Sequence, residues 1–324
     1  MPNHPNIPPV KVSEPELIQR LQRPDGMVDV VLDTDTYNEI DDQYALAYLL
    51  LNPEKANVKA IYAAPFSNEK AATPEIGMRK SHDEIMNILQ LMGREDMMQH
   101  VYEGSTEYLP DESTPVISPA AGHLVKTAMA HTPEQPLYVI ALAAITNVSS
   151  ALLIEPAIRD RIVVVWLGGQ ALHWHDNYEF NLRQDIAAAR VLMGCGAAVV
   201  LVPCKGVVSA FSTTEPELRE HLKGRNPLCD YLYSYTTSEV SGYKGQVKCW
   251  SKPIWDVTAV GWLLSDQFML DELMPSPIPE YDHRWGQDKR RHLIRYVYHI
   301  NRDKLFEDLF HKLASCNPVQ SLQN

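Results

Sequence analysis

The 324-residue chain has no Cys-x-x-Cys pair, no long apolar run and no surplus of positive charge. Each absence excludes something. The five cysteines, Cys195, Cys204, Cys229, Cys249 and Cys316, are scattered and odd in number. Reduced thiols are therefore expected, rather than a structural zinc site or a disulfide framework. No stretch reaches the roughly 18 apolar residues that cross a bilayer. The Pro-rich, polar N-terminus lacks the apolar segment of a secretory signal. A soluble cytoplasmic protein with no membrane partner is the expectation. Lys plus Arg number 29 against 41 Asp plus Glu, a net charge of −12. Such a surface repels phosphate backbones and argues against nucleic acid as a partner, but not against a small uncharged ligand. Gly168-Gly169 marks a tight turn and is too short to be a phosphate-cradling loop.

What the sequence does contain is apolar material for a large core, 45% of its residues. Short runs rich in Val, Ile and Leu at 28–32, 58–63, 137–142, 162–167 and 198–202 read as strands. Helical spacing at 41–51, 72–91 and 185–193 lies between them. Residues 294–300 read as a last strand and 302–313 as a closing helix. This alternation predicts an α/β fold, a mostly parallel central sheet with helices on both faces. Residues 1–26 are expected to form an N-terminal arm and short helix, and 27–324 a single α/β domain. The polar stretch from about 204 to 250, rich in Tyr, Ser and Thr, is expected to supply a wall or lid.

The strongest local signal is the acidic segment that follows the first strand, Asp33-Thr-Asp35-Thr-Tyr-Asn-Glu39-Ile-Asp41-Asp42. Ligands of open α/β sheets sit beyond the carboxyl ends of the strands, where this segment falls. Carboxylates crowded there require water or a cation between them, and hard oxygen donors suit calcium or magnesium rather than zinc. Asp41 and Asp42 open a helix, where the dipole favours acids by roughly 0.3–1 kcal/mol. Helix capping alone accounts for one or two of these residues and poorly for Asp33 and Asp35. An Asp-x-Asp pair after a strand also opens haloacid-dehalogenase-type phosphatases. There, however, Tyr37 occupies a position that wants Thr or Val, and the later lysine and acidic pair are not found.

The segment DTDTYNEIDDQYALAYLLL (33–51) resembles the opening signature of the inosine–uridine-preferring nucleoside hydrolase family, Asp-x-Asp-Pro-Gly-x-Asp-Asp before an Ala/Leu-rich helix. Two residues are inserted here and Pro-Gly is absent. The resemblance continues in order through ALAAITNVSSAL (141–152), WLGGQALHWHDNYEFNLRQDIAAAR (166–190), KPIWDVTAVGWLL (252–264) and a final Arg-Asp-x-Leu-Phe (302–306). It implies that Asp35, Asp42, Asp256 and the backbone carbonyl of Leu142 bind Ca2+. It implies that Asp41, Glu179 and Asn181 grip ribose hydroxyls, that Asp35 is general base toward the attacking water, and that Asp33 supports the loop. The implied reaction is hydrolysis of the N-glycosidic bond of a ribonucleoside, and homodimers or homotetramers are common in the family.

Three departures bear on the substrate. Trp255 replaces the histidine that precedes the last metal aspartate in pyrimidine-accepting members. As in the purine-preferring branch, its ring can stack on a base but cannot protonate one; its structural alternative is an ordinary core tryptophan. The family's Val-x-Gly-Asn segment becomes 63–68, where Asn68 can fill the asparagine's role after a shift or Phe66 can line a different pocket. His173 stands where an asparagine is usual, within a His-Trp-His stretch that reads as pocket wall before metal site. A purine nucleoside is the expected substrate. Another ribosyl compound, or calcium-dependent sugar or nucleoside binding without catalysis, are the competing expectations.

Overall fold

The apolar runs form the strands of one large sheet in the computed structural model, which describes residues 13–244 and 249–317. The expected N-terminal arm falls largely on 1–12, outside the described residues. In chain order the strands are β1 (Val28–Thr34), β2 (Ala56–Ala63), β3 (Val101–Glu103), β4 (Leu137–Ala141), β5 (Ile162–Leu167) and β6 (Ala198–Val202). Then β7 (Ser212–Thr213) and β8 (Lys252–Pro253) pair as a separate ribbon, β9 (Met269–Pro275) follows, β10 (Ile278–Pro279) pairs with β11 (Trp285–Gly286), and β12 (Leu293–Ile300) returns to the main sheet. The main order is β3-β2-β1-β4-β5-β6-β12-β9, parallel throughout except for the β12–β9 pair.

The helices are α1 (Glu14–Arg20), α2 (Asp41–Leu50), α3 (Pro74–Leu91), α4 (Pro119–Met129), α5 (Thr146–Ile154), α6 (Phe180–Gln184), α7 (Ile186–Gly194), α8 (Glu215–His221), α9 (Pro227–Lys244), α10 (Val257–Leu264) and α11 (Arg302–Ala314). They cover both faces of the sheet. Val30 and Leu32 of β1 pack into a core with α2, α3, α10 and α11, and the intervening Val31 packs into a second core with α4, α5 and α7. Period-2 side chains that are apolar on both faces explain why β1 and β5 read as continuous hydrophobic runs.

Element ends follow cap chemistry. The helix expected from 72 starts at Pro74, because Thr73 is its cap and accepts a hydrogen bond from the Ile76 amide. The helix expected from 185 starts at Ile186, because Asp185 caps it through the Ala188 amide. The polar stretch carries α8 and α9. Strand β9 has no apolar signature, since Asp271 and Glu272 interrupt it. Asp271 is held there by Arg23 at 2.7 Å and Arg295 at 2.5 Å.

Candidate active site

Between β1 and β4 the strand order reverses direction, which opens a crevice at the carboxyl ends. The Leu142 amide donates to the Asp33 carbonyl (2.8 Å), so β1 and β4 are stitched together at its base. A cavity of about 310 Å³ lies above, near the lower end of the roughly 300–1,000 Å³ usual for ligand pockets. Residues just past β1, β4, β5 and β6 line it, together with the first residues of α2 and the segment that enters α10.

The floor is acidic and buried. Asp35, Asp41, Asp42 and Asp256 all line the cavity and are at most 4% exposed. Carboxylate oxygens of Asp41, Asp42 and Asp256 lie within 4.8 Å of one another. Asp35 faces Asp42. Burial first, and then the charges of Asp42 and Asp41, push its carboxyl well above the usual range. Burial and the Asp41 and Asp42 charges do the same to Asp256. Burial raises Asp41 to about 7 against the opposing attraction of Lys252, and raises Asp42 to about 6 although Thr34 donates to it. One oxygen of Asp35 is buried with no hydrogen-bond partner. So many buried carboxylates with an orphaned oxygen fit a hard divalent cation, which would hold them ionised. This triad contains Asp41 where the sequence resemblance implied Asp35, and the Asp256 amide donates to Asp41 at 3.4 Å.

Asp33 is fully buried beneath this floor and does not line the cavity. The Asn147 amide donates to it at 2.8 Å, while the Asn147 oxygen accepts from the Ser105 amide and hydroxyl. This is the loop-supporting role expected of Asp33. A phosphatase nucleophile would have to reach the cavity, so that reading fails on geometry.

One wall comes from the turn after β5. Gly169 adopts φ +71, which glycine accepts without strain, and its amide donates to Glu179. Glu179 also accepts from the amides of Asn181 and Leu182 and so caps α6. Asn181 spends both side-chain N–H groups on the carbonyls of Leu142 (2.8 Å) and Leu167 (3.0 Å), which leaves its Oδ1 as the acceptor. Trp255 also lines the cavity, anchored by its indole N–H on Ser209 (2.8 Å). Behind it, β8 delivers Lys252, whose ammonium lies 5.0 Å from the Trp255 ring centre and pairs with Glu39. Burial alone would lower the Lys252 amine, but Asp41 and Glu39 outweigh it and the net shift is upward.

Eight of the ten site positions read from sequence therefore meet in one cavity: Asp35, Asp41, Asp42, Leu142, Glu179, Asn181, Trp255 and Asp256. Asn68 and His173 are not among its lining residues. Asn68 turns back in a bridge with Ala71 and donates to Asn38 (2.8 Å), which lines the cavity in its place. His173 is exposed, on the loop beside Gly206, and Phe66 is core against Gly77. Sequence reasoning missed Gln170, Arg183, Lys205 and Cys204, which do line the cavity.

A family model described as inosine-uridine preferring nucleoside hydrolase matches residues 30–307. The chain belongs to the inosine–uridine-preferring nucleoside hydrolase family. It is an N-glycosyl hydrolase by that membership, of a metal-dependent kind. No curated protein matches it in sequence. Among solved structures, a purine-preferring ribonucleoside hydrolase from Gardnerella vaginalis superposes with a TM-score of 0.72 at 17% identity, covering 90% of this chain and 99% of the other. A plant nucleoside hydrolase gives 0.69 at 17%, covering 89% and 99%. An inosine-uridine preferring nucleoside hydrolase from Bacillus anthracis gives 0.64 at 16%, covering 89% and 99%. At these identities the likeness is one of fold.

Proposed function

We propose that this nucleoside hydrolase cuts the N-glycosidic bond of purine ribonucleosides with calcium as its cation. The observation that carries the reading is the buried carboxylate floor lying in the same cavity as the Trp255 ring. All the donors offered are oxygens, and calcium accepts six to eight of them, so Asp35, Asp42, Asp256 and the Leu142 carbonyl could hold it. When bound, the ion would polarise water and fix the ribose diol. Asp35, with an oxygen that has no other partner, takes the proton from the attacking water. Asp41 and the free Oδ1 of Asn181 accept from ribose hydroxyls; Glu179, held by three amides, retains lone pairs to do the same. The carboxylate floor stabilises the positive charge that grows on the sugar as the bond to the base breaks. Trp255 stacks on the departing base rather than protonating it, and a purine offers the larger stacking face. An oligomer, dimer or tetramer, as the sequence resemblance implies, and a cytoplasmic location complete the proposal.

The test is release of reducing sugar from inosine, adenosine, guanosine, uridine and cytidine, with calcium and after chelation. Calcium-dependent release favouring the purines is expected. Equal rates on uridine and inosine would overturn the purine assignment, and full activity after chelation would overturn the cation. Binding of nucleoside without turnover of any member would turn the reading to a non-catalytic sugar- or nucleoside-binding protein. Light scattering that gives the mass of one chain would remove the oligomer.

A further inference from the structure

The cavity has a second electrical character at its rim. Arg183 and Lys205 line it above the carboxylates. The chain has 41 acids against 29 bases, and its cations unpaired among the described residues include surface lysines such as Lys126, Lys223 and Lys289. Arg23, Arg190, Arg295, Arg302 and Lys252 all form ion pairs with carboxylates. Among the described residues Arg183 and Lys205 form none, and neither side chain donates a hydrogen bond to a described residue. Arg183 is not loose, however. Its guanidinium carbon sits 5.0 Å from the ring centres of both Tyr178 and Phe180. Aromatic packing of this kind fixes the planar group while leaving its N–H fork open. The backbone of Lys205 is fixed as well, its amide donating to Gln170 Oε1 at 2.7 Å. Arg183, held against two rings, and the exposed Lys205 thus face the same cavity as Glu179 and Asn181 without a carboxylate among the described residues to neutralise either of them. A guanidinium fork and an ammonium on one cavity match the oxygens of a phosphate.

We infer that the cavity takes a ribosyl compound carrying a phosphate group, and that Arg183 and Lys205 recognise that phosphate while the carboxylate floor and Trp255 engage the sugar and base. This rests on the ribosyl-hydrolase reading above. The reaction is unchanged: water adds to the anomeric carbon, the C–N bond breaks, the base leaves with a proton, and the phosphate stays on the sugar.

The experiment compares kcat/KM for base release from inosine and from inosine 5′-monophosphate, with calcium, in the wild type, Arg183→Ala, Lys205→Ala and Arg183→Lys. In parallel, calorimetry compares ribose 5-phosphate with ribose. The monophosphate is expected to be preferred. Arg183→Ala should lower that preference by about 10–100-fold, the worth of a charge-assisted bidentate contact, with Lys205→Ala doing less and Arg183→Lys restoring part of it. Inosine preferred over its monophosphate in the wild type, or a phosphate preference that survives both alanine variants, would overturn the inference. Release from inosine alone leaves the hydrolase reading standing and removes this one. If neither substrate is cleaved the hydrolase reading fails, and calorimetry then decides the inference. Tighter binding of ribose 5-phosphate than ribose, lost in Arg183→Ala, upholds it, and equal binding overturns it.

Discussion

The floor and the rim of the cavity are built from different material. The floor carboxylates sit on regular elements: Asp35 follows β1, Asp41 and Asp42 start α2, and Asp256 immediately precedes α10. They are buried and are braced from below by Asp33 and Asn147. The rim comes from the turns after β5 and β6 and from the five-residue helix α6, with His173, Trp174 and Tyr178 exposed. On the function proposed above, rigid elements hold the groups assigned to bond breaking, while loops carry the groups assigned to choosing the ligand. The two parts can change separately. In this chain the floor gathers the carboxylates of Asp35, Asp41, Asp42 and Asp256, and the rim carries Arg183 and Lys205.

Breaking the floor should cost most. Asp35→Ala is expected to lower turnover by about 10²–10⁴-fold, the usual worth of a general base, and to weaken calcium binding in a titration. Near-normal turnover in that variant would show that the orphaned oxygen of Asp35 is not the base. A change at the ring beside the floor should be smaller and selective for substrate. Trp255→Ala should lower kcat/KM on inosine by roughly 10-fold, within the ~1–3 kcal/mol of base stacking. It should matter less on p-nitrophenyl riboside, whose leaving group needs no help. Equal losses on both would make Trp255 a packing residue. Asn147→Ala leaves an Asp33 oxygen buried and unpaired and should cost about 1–3 kcal/mol of stability, read as a lower urea midpoint. An unchanged midpoint would show that the floor does not depend on this brace.

The same division decides what was legible in the sequence. The floor could be read because each carboxylate is adjacent to a strong local pattern, an apolar strand or an apolar helix. Asn147 could be read only as a helix start, since its partner Asp33 is 114 residues away. The rim was misread where a loop folds back. Asn68 closes a bridge with Ala71 and reaches the cavity only through Asn38, and no periodic signal marks such a turn. Lys252 was missed because Glu39, its partner, lies 213 residues earlier. Arg183 carried a usable signal, two positions after Asn181 between aromatic residues and the α7 cap. Strand β9 was missed because Asp271 is paired by the distant Arg23 and Arg295, while Glu272 faces solvent.

The smallest effect concerns pH and separates the floor from the rest of the molecule. Burial raises Asp33 to about 7 and Asp41 to about 7, against 3.8 for the unperturbed group. Between those values the folded state binds more protons than the unfolded chain. Stability without a divalent cation must therefore fall as pH rises through 7 and recover as pH falls. His292 acts with the opposite sign. Its folded pKa is lowered by burial to about 4 from 6.5, so its contribution is intact above 6.5 and lost as pH falls from there toward 4. Measurements between pH 6.5 and 8 thus isolate the carboxylates. Unfolding free energy in chelator is expected to rise on going from pH 8 to 6.5 by about 1 kcal/mol per raised group. Asp33→Asn removes one such group and should flatten the slope without touching the cation ligands. Saturating calcium should flatten it further, because the ion favours the ionised floor. A slope unaffected by both Asp33→Asn and calcium would mean that these carboxylates are compensated from within the protein, and the floor would then be a structural cluster rather than a cation seat.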